Sequence, residues 1–179
     1  MKLIQKSESH SIGSPTGCKC LIVDDTDMPK TGWNIELIGR IWSHVSNSSK
    51  LDCKGLFLGY HDAKSFYGLD FSLHGEKGKN AKKPFGLSPK QTKDRFTKRS
   101  SKDSAASTRK AEYFIKKTEI LLMMIRRAIS KGLSFDYLLV DSWFVSDGLV
   151  SFVLGCTKKF HLLGMAKMGK PVIIIMERQ

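Results

Sequence analysis

Two apolar runs in this chain stop abruptly at aspartate. Leu21-Ile22-Val23 leads into Asp24-Asp25, and Leu138-Leu139-Val140 leads into Asp141. Short apolar runs bounded by polar or turn residues read as buried strands. In mixed α/β sheets, functional groups gather just beyond the carboxyl ends of central strands. If the two strands are neighbours, Asp141 meets Asp24 or Asp25 across more than half the chain. Clustered carboxylates repel one another and are tolerated where a cation neutralises them. Mg²⁺ (or Mn²⁺) suits the pattern, because a hard ion takes oxygen ligands and needs only one or two protein carboxylates plus a substrate phosphate. Two such ions about 4 Å apart can activate a water and stabilise the leaving oxygen of a phosphodiester. Strand-end aspartates also serve as turn residues and helix caps, so the pattern alone admits a purely structural reading.

The charge balance says what such a site would act on. Thirty Lys plus Arg stand against seventeen Asp plus Glu, a net charge of +13. A surplus of that size predicts a polyanionic partner, with nucleic acid ahead of an anionic membrane surface. No apolar run approaches the roughly 18 residues of a membrane span, and the polar, Ser-rich segment 1–17 lacks the apolar middle of a secretory signal. A cytoplasmic location is the expectation. Cys18, Cys20, Cys53 and Cys156 have neither a disulfide framework nor zinc-site spacing and read as free thiols.

Along the chain, 1–17 is expected to be a flexible N-terminal segment. Strands are expected at 36–45, 55–60 and 65–73 as an antiparallel meander, the last burying Tyr67, Leu69, Phe71 and Leu73. A helix is expected over 108–131, its face formed by Phe114, Thr118, Leu121, Ile125, Ala128 and Ile129, with Gly132 ending it. Further strands are expected at 135–140 and 161–165. Between them Ser146 is placed to cap a short helix with Asp147 in its first turn. This order indicates an α/β fold, a mixed sheet with flanking helices.

Residues 76–102 differ from the rest. Ten Lys or Arg stand there against Glu76 and Asp94, with few apolar residues. Such a stretch buries too little to offset its ordering entropy, so a mobile basic loop is expected over 76–107. Its cations Lys77, Lys79, Lys82, Lys83, Lys90, Lys93, Arg95, Lys98 and Arg99 are the candidate DNA contacts.

The run from Leu21 through Asp24-Asp25-Thr26-Asp27 to Gly32 resembles the first catalytic motif of DDE transposases from bacterial insertion sequences. Asp136 to Phe144, through Asp141-Ser142-Trp143, resembles the second, and Gly55 to Gly78 resembles the strands between them. The resemblance spans about 20–170, within a partial nuclease core at 18–170. It implies a ribonuclease-H-like fold, two metal ions, and hydrolysis followed by strand transfer at transposon ends. The implied partners are the DNA of transposon ends and target, with a homodimer in the full-length family. The family register selects Asp24. Asp25 is the alternative, since adjacent strand residues face opposite ways.

The family's third acid, a Glu within a Tyr-x2-Arg-x3-Glu-x6-Lys pattern, has no counterpart here. After Asp141 the carboxylates are Asp147, at a helix start, and Glu177, in the divergent tail 171–179. The core is therefore expected to be incomplete at its C-terminus, through frameshift or truncation near Lys170, and inactive in cleavage. Two other readings stand beside it. One is a non-catalytic nucleic-acid-binding remnant. The other is a haloacid-dehalogenase-like phosphatase, whose Asp-x-Asp motif Asp25-Thr26-Asp27 satisfies. Trp143 and Phe144 could stack on a base or pack at the sheet end, and His61 and His74 could assist the site or be satisfied structural histidines.

Overall fold

The computed structural model describes residues 17–93, 101 and 104–165. Strands β1 (Cys20–Asp27), β2 (Gly39–Ser43), β3 (Ser48–Asp52), β4 (Lys54–His61) and β5 (Phe66–His74) come first. A single 3₁₀ turn at Pro84–Gly86 follows, then helices α1 (Pro89–Lys93), α2 (Ala105–Glu112) and α3 (Lys117–Ser130). Strand β6 (Tyr137–Val140), helix α4 (Asp147–Gly155) and strand β7 (His161–Gly164) complete the order. Five strands form one sheet in the order β5-β4-β1-β6-β7, and β2 pairs with β3 in a separate two-stranded sheet. β1 runs parallel to β6, and β6 parallel to β7. The turn between β4 and β5 is far too short for a parallel crossover, so that pair is antiparallel. The outcome is the expected ribonuclease-H-like mixed sheet with flanking helices.

The described residues fall into two compact units. One takes 17–24, 58–69 and 122–165, the other 25–57 and 70–121. In the first, β1 and β6 pair from Cys20↔Tyr137 to Val23↔Val140. Leu21, Val23, Leu138 and Val140 are buried, as are Met124, Ile125 and Ala128 of α3 and Leu149 of α4. The opposite sheet face is more open: Ile22 and Leu139 are half-buried and Leu163 is exposed. Helix α3 stops as its sequence dictates. Gly132 takes φ +80°, and Leu133 N–H donates back to the Ala128 carbonyl at 3.2 Å. Ser146 caps α4, its Oγ accepting from Leu149 N–H at 3.3 Å. The β4–β5 turn is held by Asp62, whose carboxylate accepts from Lys64 N–H (3.1 Å) and Ser65 N–H (2.8 Å). These bonds hold the Asp62 carboxyl below its usual pKa.

In the second unit, Leu37, Phe85, Leu87 and Tyr113 form a buried cluster. Three expectations change here. The helix expected over 108–131 is two helices, broken at 113–116. Tyr113 turns inward and is 2 % exposed, while Phe114, expected on the buried face, is 53 % exposed. Neighbouring aromatics sent to opposite sides interrupt the helical face, and the chain turns through Ile115 N–H to the Glu112 carbonyl at 3.0 Å. The strand expected at 36–45 is confined to Gly39–Ser43 and turns back through β3, whose Ser-Ser-Lys-Leu-Asp sequence carries no apolar signal. In β5 the buried residues at the carboxyl end are Ser72 and His74, and Phe71 is exposed, the reverse of the alternation expected. There Arg109 lies over the Phe71 ring at 4.6 Å and bonds Asp70 at 2.8 Å, so one cation serves both an aromatic ring and an acid.

Candidate functional site

Side chains alternate along a strand with period two, and parallel partners in register share a face. Cys20, Ile22 and Asp24 therefore lie on one side of β1. Tyr137, Leu139 and Asp141 lie on the same side of β6, because Ile22 pairs with Leu139. Asp24 and Asp141 each stand one step beyond the last paired residues, Val23 and Val140. Neighbouring strands are about 4.8 Å apart, so the register brings two exposed aspartates to the same end of adjacent strands. Asp141 is steadied by its own turn: its Oδ1 accepts from Ser142 N–H at 2.5 Å, and its carbonyl accepts from Phe144 N–H at 2.9 Å.

Asp25 is on the other side of β1, in phase with Leu21 and Val23. It is half-buried and forms an ion pair with Lys117, the first residue of α3. Sequence patterning had no access to Lys117, which pairs across 92 positions and reads locally as one more cation on a polar helix face. His74 lies near the same pair. It is 6 % exposed, and its pKa is pushed down to about 4, first by burial and then by the Lys117 ammonium, against the opposing pull of the Ile115 carbonyl, Glu112 and Asp25. Its Nε2 has no hydrogen-bond partner among the described residues. His61 Nδ1 accepts from Ala63 N–H at 3.1 Å. Phe144 is buried and Trp143 is exposed.

A divalent ion asks for hard oxygen donors, and Asp24 with Asp141 supplies that chemistry as a two-carboxylate set. Among the described residues no group of three or more His, Cys, Asp or Glu side chains is arranged to hold a metal. The cysteines described are free thiols.

The basic segment carries defined structure where it is described. Phe85 N–H donates to the Lys77 carbonyl at 2.7 Å and closes the loop between them. Inside the loop, Asn80 accepts from Lys83 N–H through its carbonyl (3.1 Å) and from Lys82 N–H through its side chain (2.9 Å). Phe85 has φ 60° and ψ 17°, a left-handed conformation costing a non-glycine residue about 1–3 kcal/mol. Burial of its ring beside Tyr113, at 5.9 Å between centroids, offsets that cost. Ser88 and Gln91 then form a reciprocal capping box at the start of α1, with Ser88 N–H to Gln91 Oε1 at 2.8 Å and Gln91 N–H to Ser88 Oγ at 3.3 Å. Lys77, Lys79, Lys82, Lys83, Lys90 and Lys93 are all exposed. Arg95, Lys98 and Arg99 lie outside the described residues. Among the described residues no helix is long and apolar enough to cross a membrane.

The Asp-x-Asp reading has no support in this geometry. Asp25, Thr26 and Asp27 all lie within β1 itself, and a β-hairpin rather than a helical crossover follows.

Residues 3–154 match the family model described as DDE superfamily endonuclease. No curated protein and no solved structure matches the chain.

Proposed function

The chain belongs to the DDE superfamily endonucleases, and we propose that Asp24 and Asp141 form its metal-binding pair for DNA strand cleavage and transfer at transposon ends. One observation supports this reading: both aspartates stand one step beyond Val23 and Val140, the last paired residues of neighbouring parallel strands. An ion bound between them would polarise the phosphodiester and supply a nucleophile from water at neutral pH. The chain's own residues do the rest. Asp25 is turned away and neutralised by Lys117, which leaves Asp24 as the carboxylate of β1 that faces the substrate. The exposed lysines of 77–93, with Arg95, Lys98 and Arg99, hold DNA by its phosphates, without sequence preference and with strong salt dependence.

The chain holds two of the three acids that the family resemblance implies. On its own it is proposed to bind metal weakly and to cleave negligibly, so the binding of nucleic acid is the activity it expresses alone. Calorimetric titration with Mn²⁺ tests the pair. Asp24→Asn and Asp141→Asn should abolish binding, and Asp25→Asn should keep it. Loss in Asp25→Asn with retention in Asp24→Asn would refute the assignment, and Mg²⁺-dependent nicking that disappears in Asp141→Ala would refute the inactivity.

A further inference from the structure

The basic loop borders an open cavity that phosphate binding does not require. The cavity has a volume of 370 Å³ and is lined by Lys77, Lys79, Asn80, Pro84, Phe85 and Phe114. That volume is within the roughly 300–1,000 Å³ of small-molecule pockets. Phe114 is the unusual member. It is a large aromatic residue, 53 % exposed, yet it is not loose. Its ring is fixed edge-on to Tyr113 at 5.3 Å and against Phe85 at 5.9 Å. The Lys77 ammonium lies 5.4 Å from its centroid. Four lysines stand on the loop, Lys77, Lys79, Lys82 and Lys83, and Glu76 is the one acid within residues 76–86. The Glu76 carboxylate is already engaged by Trp42 N–H at 3.1 Å.

A rigid aromatic platform in a largely apolar cavity suits a flat ring. The surrounding ammonium groups suit an anion. The ligand that joins a flat ring to anions on both sides is a nucleotide within a strand. We propose that this cavity receives one unpaired base of a DNA strand, stacked on Phe114, with the flanking phosphates on Lys77, Lys79, Lys82 and Lys83. Base stacking on an aromatic side chain outweighs an exposed cation–π contact, so the base displaces the Lys77 ammonium from the ring and a phosphate takes it. Paired bases are excluded, because their faces are covered by the duplex. The inference rests on DNA being the substrate and is independent of the metal pair.

The test is fluorescence anisotropy with the full chain in EDTA, which silences Asp24 and Asp141. Two labelled ten-nucleotide strands are compared, oligo-dT and an abasic strand of equal charge. Wild-type protein should bind oligo-dT about five- to 150-fold more tightly. Phe114→Leu should bring the ratio close to one without changing the abasic affinity, which also reports an intact fold, and Phe114→Trp should preserve the ratio. Lys79→Ala and Lys83→Ala should weaken both strands alike and lower the salt dependence. Equal binding of the two strands by wild type, or an unchanged ratio in Phe114→Leu, would overturn the base site while leaving DNA binding in place. Binding of neither strand would overturn both the base site and the DNA reading. Competition by poly-glutamate as effective as by oligo-dT would reduce the site to its charge.

Discussion

Lowering the pH from 7 to 5 measures how completely His74 is buried. The folded protein holds its pKa at about 4 against about 6.5 in the unfolded chain, chiefly because burial disfavours the charged imidazole. The unfolded state therefore binds more protons between these values. The contribution of His74 to stability is fully present above pH 6.5 and is lost as the pH falls toward 4. At about 1.36 kcal/mol per unit, the whole effect is about 3 kcal/mol, of which about 2 kcal/mol falls between pH 7 and 5. Asp52, whose pKa burial raises, is common to wild type and a His74 variant and cancels in their difference. Urea unfolding followed by tryptophan fluorescence, on wild type and His74→Gln, isolates the histidine. With a urea m-value of about 2 kcal/mol/M, the wild-type midpoint should fall by about 1 M more than that of the variant. Parallel pH dependence in the two proteins would refute the reasoning, since a solvated His74 would titrate alike folded and unfolded.

Gly75→Ala places a methyl group 1.5 Å from Tyr113 Oη and 2.2 Å from its Cζ. A loss of about 1–3 kcal/mol is expected by thermal or urea unfolding, and a melting temperature equal to wild type would show that Tyr113 is not fixed there. Asp52 is fully buried, and its pKa is raised by that burial, with bonds from Cys53 and Met28 N–H pulling the other way. A raised carboxyl contributes stability at low pH that is lost as the pH rises through its folded pKa. Asp52→Asn should therefore raise Tm at pH 7 and lose that advantage toward pH 4, and a lower Tm at pH 7 would contradict the burial cost.

The parts of the fold legible in the sequence were those written locally. β6, the Ser146 cap, the Gly132 stop and β7 follow from apolar runs and end chemistry within a few residues. Strand β3 was hidden because its pairing with β2, rather than its composition, makes it a strand. The break before α3 was hidden because Tyr113 and Phe114 both count as apolar, while only Tyr113 joins the buried cluster with Leu37, Phe85 and Leu87. Asp24 and Asp141 could be named because each ends an apolar run. The family register selected Asp24, whereas the ion pair that engages Asp25 had no local signal, since Lys117 enters from 92 residues away.

The adjacent aspartates of β1 have a consequence for error in strand pairing. A one-residue slip turns every side chain of a strand to the other face. Here a slip exchanges one carboxylate for its neighbour, so the open face carries an acid in either alignment. The two alignments then differ in their counter-charge, because only the native one sets Asp25 against Lys117. The lysine at the head of α3 thus adds a charge preference to the alignment that burial of Leu21 and Val23 already sets.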